Sequence, residues 1–260
     1  MKFKITHSPL LFTLFTSILS LCSTNAAIGQ FEIIAQAAYP EYMARDLVVF
    51  AEGLNLDDTQ EVIVEAMFDS YEDDFQSGWA AAQLRIDDYA IANRSIATEQ
   101  SVQKQIEPVL NALSDWLIEK RHLDEGLLEN VKTILIEDQR QLWPGFAQRL
   151  YREKHINRGR LSGESVDLFQ ITRDSNLAPV AENAISSLLE EYAVALDTAM
   201  RTRDSILQGN PKKLFDSILL DNATKSPDLV DKTIKARVEV RDLNDRYIEI
   251  ISENLAGDDS

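Results

Sequence analysis

The chain has 260 residues, of which 45% are hydrophobic, and it carries a formal net charge of −17 at pH 7. Glycine and proline are sparse, at 9 and 7 residues, while good helix formers abound, which favours an all-α protein. The acidic balance argues against nucleic acid and anionic membrane surfaces as partners.

Residues 1–26 have the pattern of a secretory signal peptide. Two lysines lie within the first four residues, residues 9–21 are apolar but too few to span a membrane comfortably, and Ala26 ends a run of small residues. Cleavage after Ala26 removes two lysines and no acidic residue, which takes the net charge from −17 to −19. We expect an exported protein, periplasmic or extracellular, without an integral membrane span after cleavage.

Cys22 is the only cysteine in the chain. Cleavage would remove it, so the mature protein would have no disulfide, no thiolate nucleophile and no cysteine metal ligand. Because Leu19-Ser20-Leu21-Cys22 resembles a lipobox, a lipoprotein anchored at Cys22 is the alternative.

After a short predicted helix at residues 40–50, the clearest local signal is a helix start. Asp57 is a favourable N-cap, and Gln60 stands where its side chain can reach back to complete a capping box, worth roughly 1 kcal/mol. Gly78 is a point of weakness or of close packing. The helix is predicted from Asp57 to about residue 94 because apolar residues then recur at helical spacing: Ile63, Met67, Tyr71, Phe75, Trp79, Ala82, Ile86 and Tyr89.

The rest of the chain is predicted to be helical as well. Pro108 begins or kinks the next long helix, and Trp143-Pro144-Gly145 interrupts a later one. Asn210 and Ser226 each precede a proline as candidate N-caps. The further predicted helices span residues 101–122, 127–142, 146–155, 165–173, 179–207 and 227–255.

An internal repeat organises these helices. Residues 46–76 align without a gap to residues 167–197, and the identical pairs are Asp46/Asp167, Leu47/Leu168, Asn55/Asn176, Leu56/Leu177, Glu61/Glu182 and Tyr71/Tyr192. We interpret this as a tandem duplication of a helical hairpin. The predicted fold is an elongated all-α bundle built from two related units, residues 27–157 and residues 158–260, packed as one body.

One family resemblance follows from the capped helix. Leu56-Asp57-Asp58-Thr59-Gln60 resembles the L-T-x-x-Q signature of the Spy/CpxP-type periplasmic proteins, and Leu135-Ile136-Glu137-Asp138-Gln139 is similar to the second copy that such proteins carry. The signature threonine is aspartate at 57 and isoleucine at 136. Over residues 45–155 the resemblance implies an exported helical hairpin that cradles partner proteins as a stress chaperone or envelope sensor.

Candidate metal ligands are few. Glu119 and His122 have the spacing used by di-iron helical proteins, but the second copy is missing, since His155 has Arg152 three residues before it. Acidic groups that could attract cations lie at Asp57/Asp58, Glu72–Asp74 and Asp87/Asp88, without the calcium-loop pattern. We expect solvated helix faces, no metal and no cofactor.

The mature chain contains few of the residue types that nucleophilic catalysis uses. It has two histidines and no cysteine, and no glycine-rich loop suited to phosphate is present. We therefore expect a protein that is not an enzyme.

A basic cluster stands out before a glycine-containing loop: Arg149, Arg152, Lys154, His155, Arg158 and Arg160. It could contact an acidic partner, or it could dock on the chain's own acidic helix face and tie the two repeats together. We favour the second interpretation.

Together these patterns predict a chaperone-like or adaptor protein of the cell envelope that binds other proteins through apolar helix faces. An acidic cation-binding envelope protein is the alternative. A homodimer is a further option that the sequence leaves open.

Overall fold

The computed structural model describes residues 36–92, 99–209, 211–212 and 227–257, and every regular element within them is helical. The all-α prediction is confirmed. The predicted signal peptide and the candidate N-caps Asn210 and Ser226 lie outside the described residues. The α-helices are α1 (Leu47–Leu54), α2 (Asp58–Ala92), α3 (Glu99–Thr133), α4 (Glu137–His155), α5 (Leu168–Asp174), α6 (Pro179–Gln208) and α7 (Pro227–Gly257).

The chain divides into two compact units, with the boundary inside α4 after Arg140. The first unit comprises residues 1–140 and 210–225, and the second comprises residues 141–209 and 226–260. The sequence predicts a boundary after residue 157.

In the first unit, α2 and α3 form an antiparallel pair. Tyr71 on α2 donates a hydrogen bond to Asp124 on α3 at 2.5 Å, and Phe75, one turn later, contacts Trp116 with ring centroids 5.3 Å apart. Trp116 is fully buried, and its Nε1 donates to the Ala37 carbonyl at 2.8 Å. The segment before α1 is thereby fastened to this helix pair.

The buried face of α2 differs by one residue from the predicted stripe at the start of the helix. Val64 and Phe68 are buried at 1% and 3% exposure, whereas the predicted Ile63 is 39% exposed. The predicted Tyr89, at the other end, is 43% exposed. A strict spacing of four drifts off a helix face that repeats every 3.6 residues, so the stripe follows the mean spacing instead.

Pro108 and Pro144 lie inside continuous helices, although the sequence predicts that Pro108 begins or kinks a helix and that Pro144 helps to interrupt one. Helix α3 passes through Pro108, and the predicted interruption at Trp143-Pro144-Gly145 is wrong because α4 continues through it. An interior proline costs about 3 kcal/mol. Phe146 and Leu150, both buried in the following turns, offset this cost, since burying one such side chain contributes about 1.5–3 kcal/mol.

In the second unit, α6 and α7 form an antiparallel pair of their own. Tyr192 on α6 is fully buried, donates to Asn244 Oδ1 on α7 at 2.9 Å, and packs on Tyr247 with ring centroids 5.3 Å apart. Asn244 in turn donates to the Gly163 carbonyl at 2.8 Å. The loop before α5 is therefore held against the helix pair.

Two asparagines 121 residues apart adopt the same uncommon backbone. Asn55 caps α1 with φ 50°, and Asn176 follows α5 with φ 46°. Asparagine tolerates this left-handed conformation better than most residues, so it can end a short helix and turn the chain into the long helix that follows. The duplication itself stays a prediction.

Candidate functional site

An open groove of about 650 Å³ lies between α6 and α7 in the second unit. Its apolar floor is formed by Val194, Ala195 and Ala199 on α6 and by Leu243 on α7. Val194 is 57% exposed, although the neighbouring Ala199 is buried. The groove thus presents apolar surface to solvent directly above the core of the second unit.

The local sequence of α6 explains why the groove is open. Ala195, Thr198 and Ala199 share one side of the helix, since residues three and four apart are neighbours on a helix surface. Their short side chains do not fill the space beside α7. Larger residues on the core side, among them Leu196 and Met200, fix the packing of the two helices beneath.

The apolar surface continues along α7. A second depression of about 450 Å³ shares Glu239 and Leu243 with the groove and adds Ile234 and Val238. Ile234 is 51% exposed. Residues four apart are neighbours on a helix face, as Ile234 and Val238 are and as Glu239 and Leu243 are, so these side chains extend the groove lengthwise.

Acidic side chains form the rim of the groove. Glu190 and Glu191 lie on the α6 side and Glu239 on the α7 side. Among the described residues, no ion pair involves any of these three. Lys235 and Arg246 lie on the α7 extension together with Asp242. The groove between the helices is therefore negative, whereas its extension has mixed charge.

The first unit has no such apolar floor at the positions 121 residues earlier. Asp73 and Asp74 stand where the second unit has Val194 and Ala195. Gly78 stands where the second unit has Ala199, and a Cβ placed on Gly78 would overlap the indole ring of Trp116.

A buried ionic network fixes the helices that carry the groove. Arg203 on α6 is fully buried and donates to Glu164 at 3.1 Å, to Asp204 at 2.8 Å and to the His155 carbonyl at 3.0 Å. Burial would lower the pKa of Arg203, but the two carboxylates outweigh this and raise it. The guanidinium stays charged and joins α6 to the loop before α5 and to the end of α4.

Glu164 is the second buried centre of this network. It accepts hydrogen bonds from the backbone N–H groups of Arg160 and Leu161, at 2.6 and 3.0 Å, and from Arg237 on α7 at 3.2 Å. Burial opposes its charge, but these donors, with Arg203, hold the pKa of Glu164 below its usual range. One carboxylate therefore connects a loop with both helices of the groove.

Asp204 completes the network. His155 Nδ1 lies 2.6 Å and Tyr151 Oη 2.7 Å from the same Asp204 oxygen, while Arg203 contacts the other. The Tyr151 and His155 rings stack with centroids 3.9 Å apart. Despite the opposing effect of burial, His155 and Arg203 hold the pKa of Asp204 well below its usual range. Both oxygens are engaged, which suits a structural role.

The predicted basic cluster does not form one surface. Arg152 is buried, pairs with Asp167 at 3.1 Å and lies over the Phe169 ring at 4.0 Å. Arg149 lies over the Phe146 ring at 5.8 Å. Lys154 and Arg158 are half-buried, and Arg160 is exposed. The Arg158 carbonyl accepts a hydrogen bond from Arg237 at 3.3 Å. The backbone N–H of Arg160 donates to Glu164. Phe146, Asp167 and Asp204, which Arg149, Arg152 and His155 contact respectively, lie within the second unit.

The Gln60 side chain, at the predicted helix start, has a hydrogen-bond partner that the sequence did not indicate. Asp57 Oδ1 accepts from the N–H groups of Thr59 and Gln60, both at 2.9 Å, and Gln60 Oε1 accepts from the Asp57 N–H at 3.1 Å. Gln60 also exchanges side-chain hydrogen bonds with Gln139, at 2.7 and 2.8 Å. The two glutamines of the paired pentads therefore meet in the first unit.

Sequence reasoning missed Glu164, Arg203 and Asp204. One signal was available for Arg203, which follows Leu196 and Met200 at helical spacing and so lies on the apolar stripe of α6. A charged residue at such a position needs a buried partner. Nothing in the sequence singled out Glu164, since it lies in a loop.

Within the described residues, no three histidine, cysteine, aspartate or glutamate side chains are arranged to hold a metal ion. Glu119 and His122, the candidate pair for which no metal is expected, are not part of such a group, and His122 Nδ1 lies 3.9 Å from Glu125 on an exposed helix face. No described helix combines the length and the apolar character needed to cross a membrane.

The described fold is that of an all-α protein with paired long helices and an open interhelical groove. No protein-family model matches the chain, and neither the curated proteins nor the solved structures gave a match.

Proposed function

We propose that this is an exported, non-enzymatic interaction protein, chaperone-like or adaptor in kind, that binds apolar segments of other proteins in the α6–α7 groove. The observation that carries the proposal is the exposed apolar floor around Val194, which lies above a well-packed core. Export rests on the pattern of residues 1–26.

The groove has the features of a protein-binding surface. An apolar depression with a polar rim excludes water from its floor when a partner side chain fills it, and this is the main source of binding energy at such surfaces. Arg203 and Glu164, both fully buried, hold the two walls in place. A groove that is preformed loses little conformational entropy when it binds.

Its charge pattern suits binding better than chemistry. The ionisable groups that burial and pairing perturb most, Asp204 and Tyr151 among them, are engaged with one another and are not lining residues of the groove. The resemblance to Spy/CpxP-type proteins stays a prediction. For the cation-binding alternative, the described residues offer no observation in its favour.

The test uses a fluorescently labelled helical peptide with leucines at helical spacing and glutamines elsewhere. Fluorescence anisotropy measures its binding to the full chain, to Val194→Asp and to Val180→Asp. Val194→Asp places a charge on the apolar floor, and its 57% exposure means that folding tolerates the change. Val180 is 69% exposed on the same helix but is not a lining residue, so Val180→Asp is the matched control.

We expect the wild type and Val180→Asp to bind equally and Val194→Asp to bind at least about tenfold more weakly, since a buried unpaired carboxylate is strongly unfavourable. Equal binding by all three proteins, or by none, would overturn the proposal. Circular dichroism of each variant checks that the helices remain intact.

A further inference from the structure

We infer that the natural occupant of the α6–α7 groove is a basic amphipathic helix, with lysine or arginine flanking a short apolar stripe. The inference rests on the proposed function and specifies its partner. It follows from the charge of the groove rim, from the arrangement of backbone groups in the groove walls and from the length of the groove.

The rim selects a positively charged partner. Glu190, Glu191 and Glu239 surround the apolar floor and, among the described residues, take part in no ion pair. A helix that fills the floor brings its flanking residues within a few ångströms of these carboxylates, inside the range where salt screens little. Lysine or arginine there would pair with them, whereas aspartate or glutamate would be repelled.

The walls favour a helix over an extended strand. The groove is bounded by α6 and α7, whose interior backbone groups bond within their own helices, so the walls offer no open edge for an extended peptide. A helix satisfies its own backbone groups before it binds and buries only side chains. Helices also pack on one another at close range through such grooves.

The groove sets the length of the occupant. On α6 the lining residues of the groove run from Glu190 to Ala199, which corresponds to about 14 Å at 1.5 Å per residue. About three turns of a partner helix cover this distance. Two or three apolar residues spaced by three or four positions would therefore contact Val194, Ala195 and Leu243 at once.

A second copy of this chain fits the groove less well. In a symmetric dimer the same patch faces itself, so Glu190, Glu191 and Glu239 would meet their own copies. The chain as a whole is also acidic, with a net charge of −17. An anionic membrane surface is disfavoured for the same reason.

The experiment compares three labelled peptides about twelve residues long that share one leucine stripe and carry glutamine, lysine or glutamate at the flanking positions. Anisotropy is measured at low and high salt with the full-length wild type, with a triple variant (Glu190→Gln, Glu191→Gln, Glu239→Gln) and with a control triple variant (Glu182→Gln, Glu249→Gln, Glu253→Gln). The control residues are exposed on the same two helices, are not lining residues, and change the net charge equally.

We expect the lysine peptide to bind wild type at least about tenfold tighter than the glutamate peptide at low salt, and the preference to shrink at high salt. In the triple variant of Glu190, Glu191 and Glu239, the affinities for the lysine and glutamate peptides should differ by no more than about twofold, and the affinity for the glutamine peptide should be unchanged. The control triple variant should bind the lysine peptide as preferentially as wild type does.

Equal binding of the lysine and glutamate peptides, both lost in Val194→Asp, would overturn the basic-helix inference and leave the proposed function standing. An equal loss of preference in both triple variants would also overturn it, because overall charge and not the rim would then be responsible. A Val194→Asp variant that binds every peptide as wild type does would overturn the proposed function itself.

Discussion

Gln60 and Gln139 donate to each other's side chains, with Nε2–Oε1 distances of 2.8 and 2.7 Å, although 79 residues separate them. Each glutamine also accepts from a backbone N–H at its own helix start, Gln60 from Asp57 and Gln139 from Ile136. Each further donates to a carbonyl near the other: Gln60 to Ile134 at 3.0 Å and Gln139 to Asn55 at 2.9 Å. The pair joins the starts of α2 and α4.

Replacement of Gln60 by alanine should therefore destabilise the first unit by about 1–3 kcal/mol, because it leaves the Ile134 carbonyl and one N–H of the buried Gln139 amide without the partners that Gln60 supplies. Urea unfolding followed by circular dichroism measures the change. Gln76→Ala is the control, since Gln76 is exposed on the same helix and its amide donates to Glu72 one turn earlier, and it should change stability by less than about 0.5 kcal/mol. If Gln60→Ala and Gln139→Ala proved additive in the double variant, the two side chains would not act as a pair.

Gly78→Ala should destabilise the first unit by about 1–3 kcal/mol, because the added methyl group would overlap the Trp116 ring in a closely packed site. Gly126→Ala is a matched control on α3, where a Cβ meets nothing within 4 Å. That control should stabilise the protein by about 0.5–1 kcal/mol, because alanine is the better helix former. Thermal unfolding of both variants gives the comparison, and equal shifts in the midpoint would contradict it.

Arg203→Met should cost the second unit about 3–5 kcal/mol, because it removes a buried cation and leaves Glu164 and Asp204 with fewer partners. The measurement is the urea midpoint with its slope. Arg173→Met, at an exposed position at the end of α5, should lie within about 0.5 kcal/mol of wild type. A similar small effect at Arg203 would mean that the network does not hold the groove walls.

The second unit should lose stability in acid. The pKa values of Asp204 and Glu164 are held below their usual values, so the unfolded state binds more protons than the folded state as the pH falls. Their contribution is fully present above about pH 5, where unfolded carboxylates are ionised, and is lost progressively as the pH falls below that toward the lower pKa values of the folded state. Urea midpoints at pH 7 and pH 3 measure the loss of stability. The Asp204→Asn variant should have a lower urea midpoint than wild type at pH 7, and its midpoint should fall less between pH 7 and pH 3.

In the first unit, Asp124 should have the opposite effect on stability as the pH falls. Burial raises the pKa of this carboxyl despite the favourable contacts with Lys120 and Tyr71. Its folded form therefore binds a proton at a higher pH than the unfolded chain, and protonation of Asp124 adds stability as the pH falls. In a Trp143→Phe variant the remaining tryptophans, Trp79 and Trp116, both report on the first unit. Tryptophan fluorescence should then show an acid transition at a lower pH than circular dichroism does. Coincident transitions would contradict the predicted difference in acid stability between the two units.

Export predicts a mature chain that begins at Ala27. Mass spectrometry of the protein from the envelope fraction of an expressing cell measures its first residue. Cys22→Ser separates the two possibilities, since it should leave cleavage after Ala26 unchanged. Loss of membrane association in Cys22→Ser would instead indicate a lipid anchor.

Much of the fold follows from patterns within single helices. The apolar stripe of α2 predicted Tyr71, Phe75 and Ile86 as core residues, and all three are buried. The same pattern misplaced Ile63, because the spacing of a stripe does not fix which of two adjacent apolar residues faces the partner helix. The interruption expected at Pro144 failed because burial in the turns after it outweighs the local cost of proline.

The sequence by itself determined the helical class and the helix start at Asp57, because composition, capping and periodicity act over a few residues along one chain segment. Only the tertiary structure decided that Gln60 meets Gln139, that Arg203 pairs with Glu164 from a distant loop, and that the space beside Ala199 stays open. These features depend on which segments come together across dozens of residues. Packing between helices sets those distances, and no local pattern encodes them.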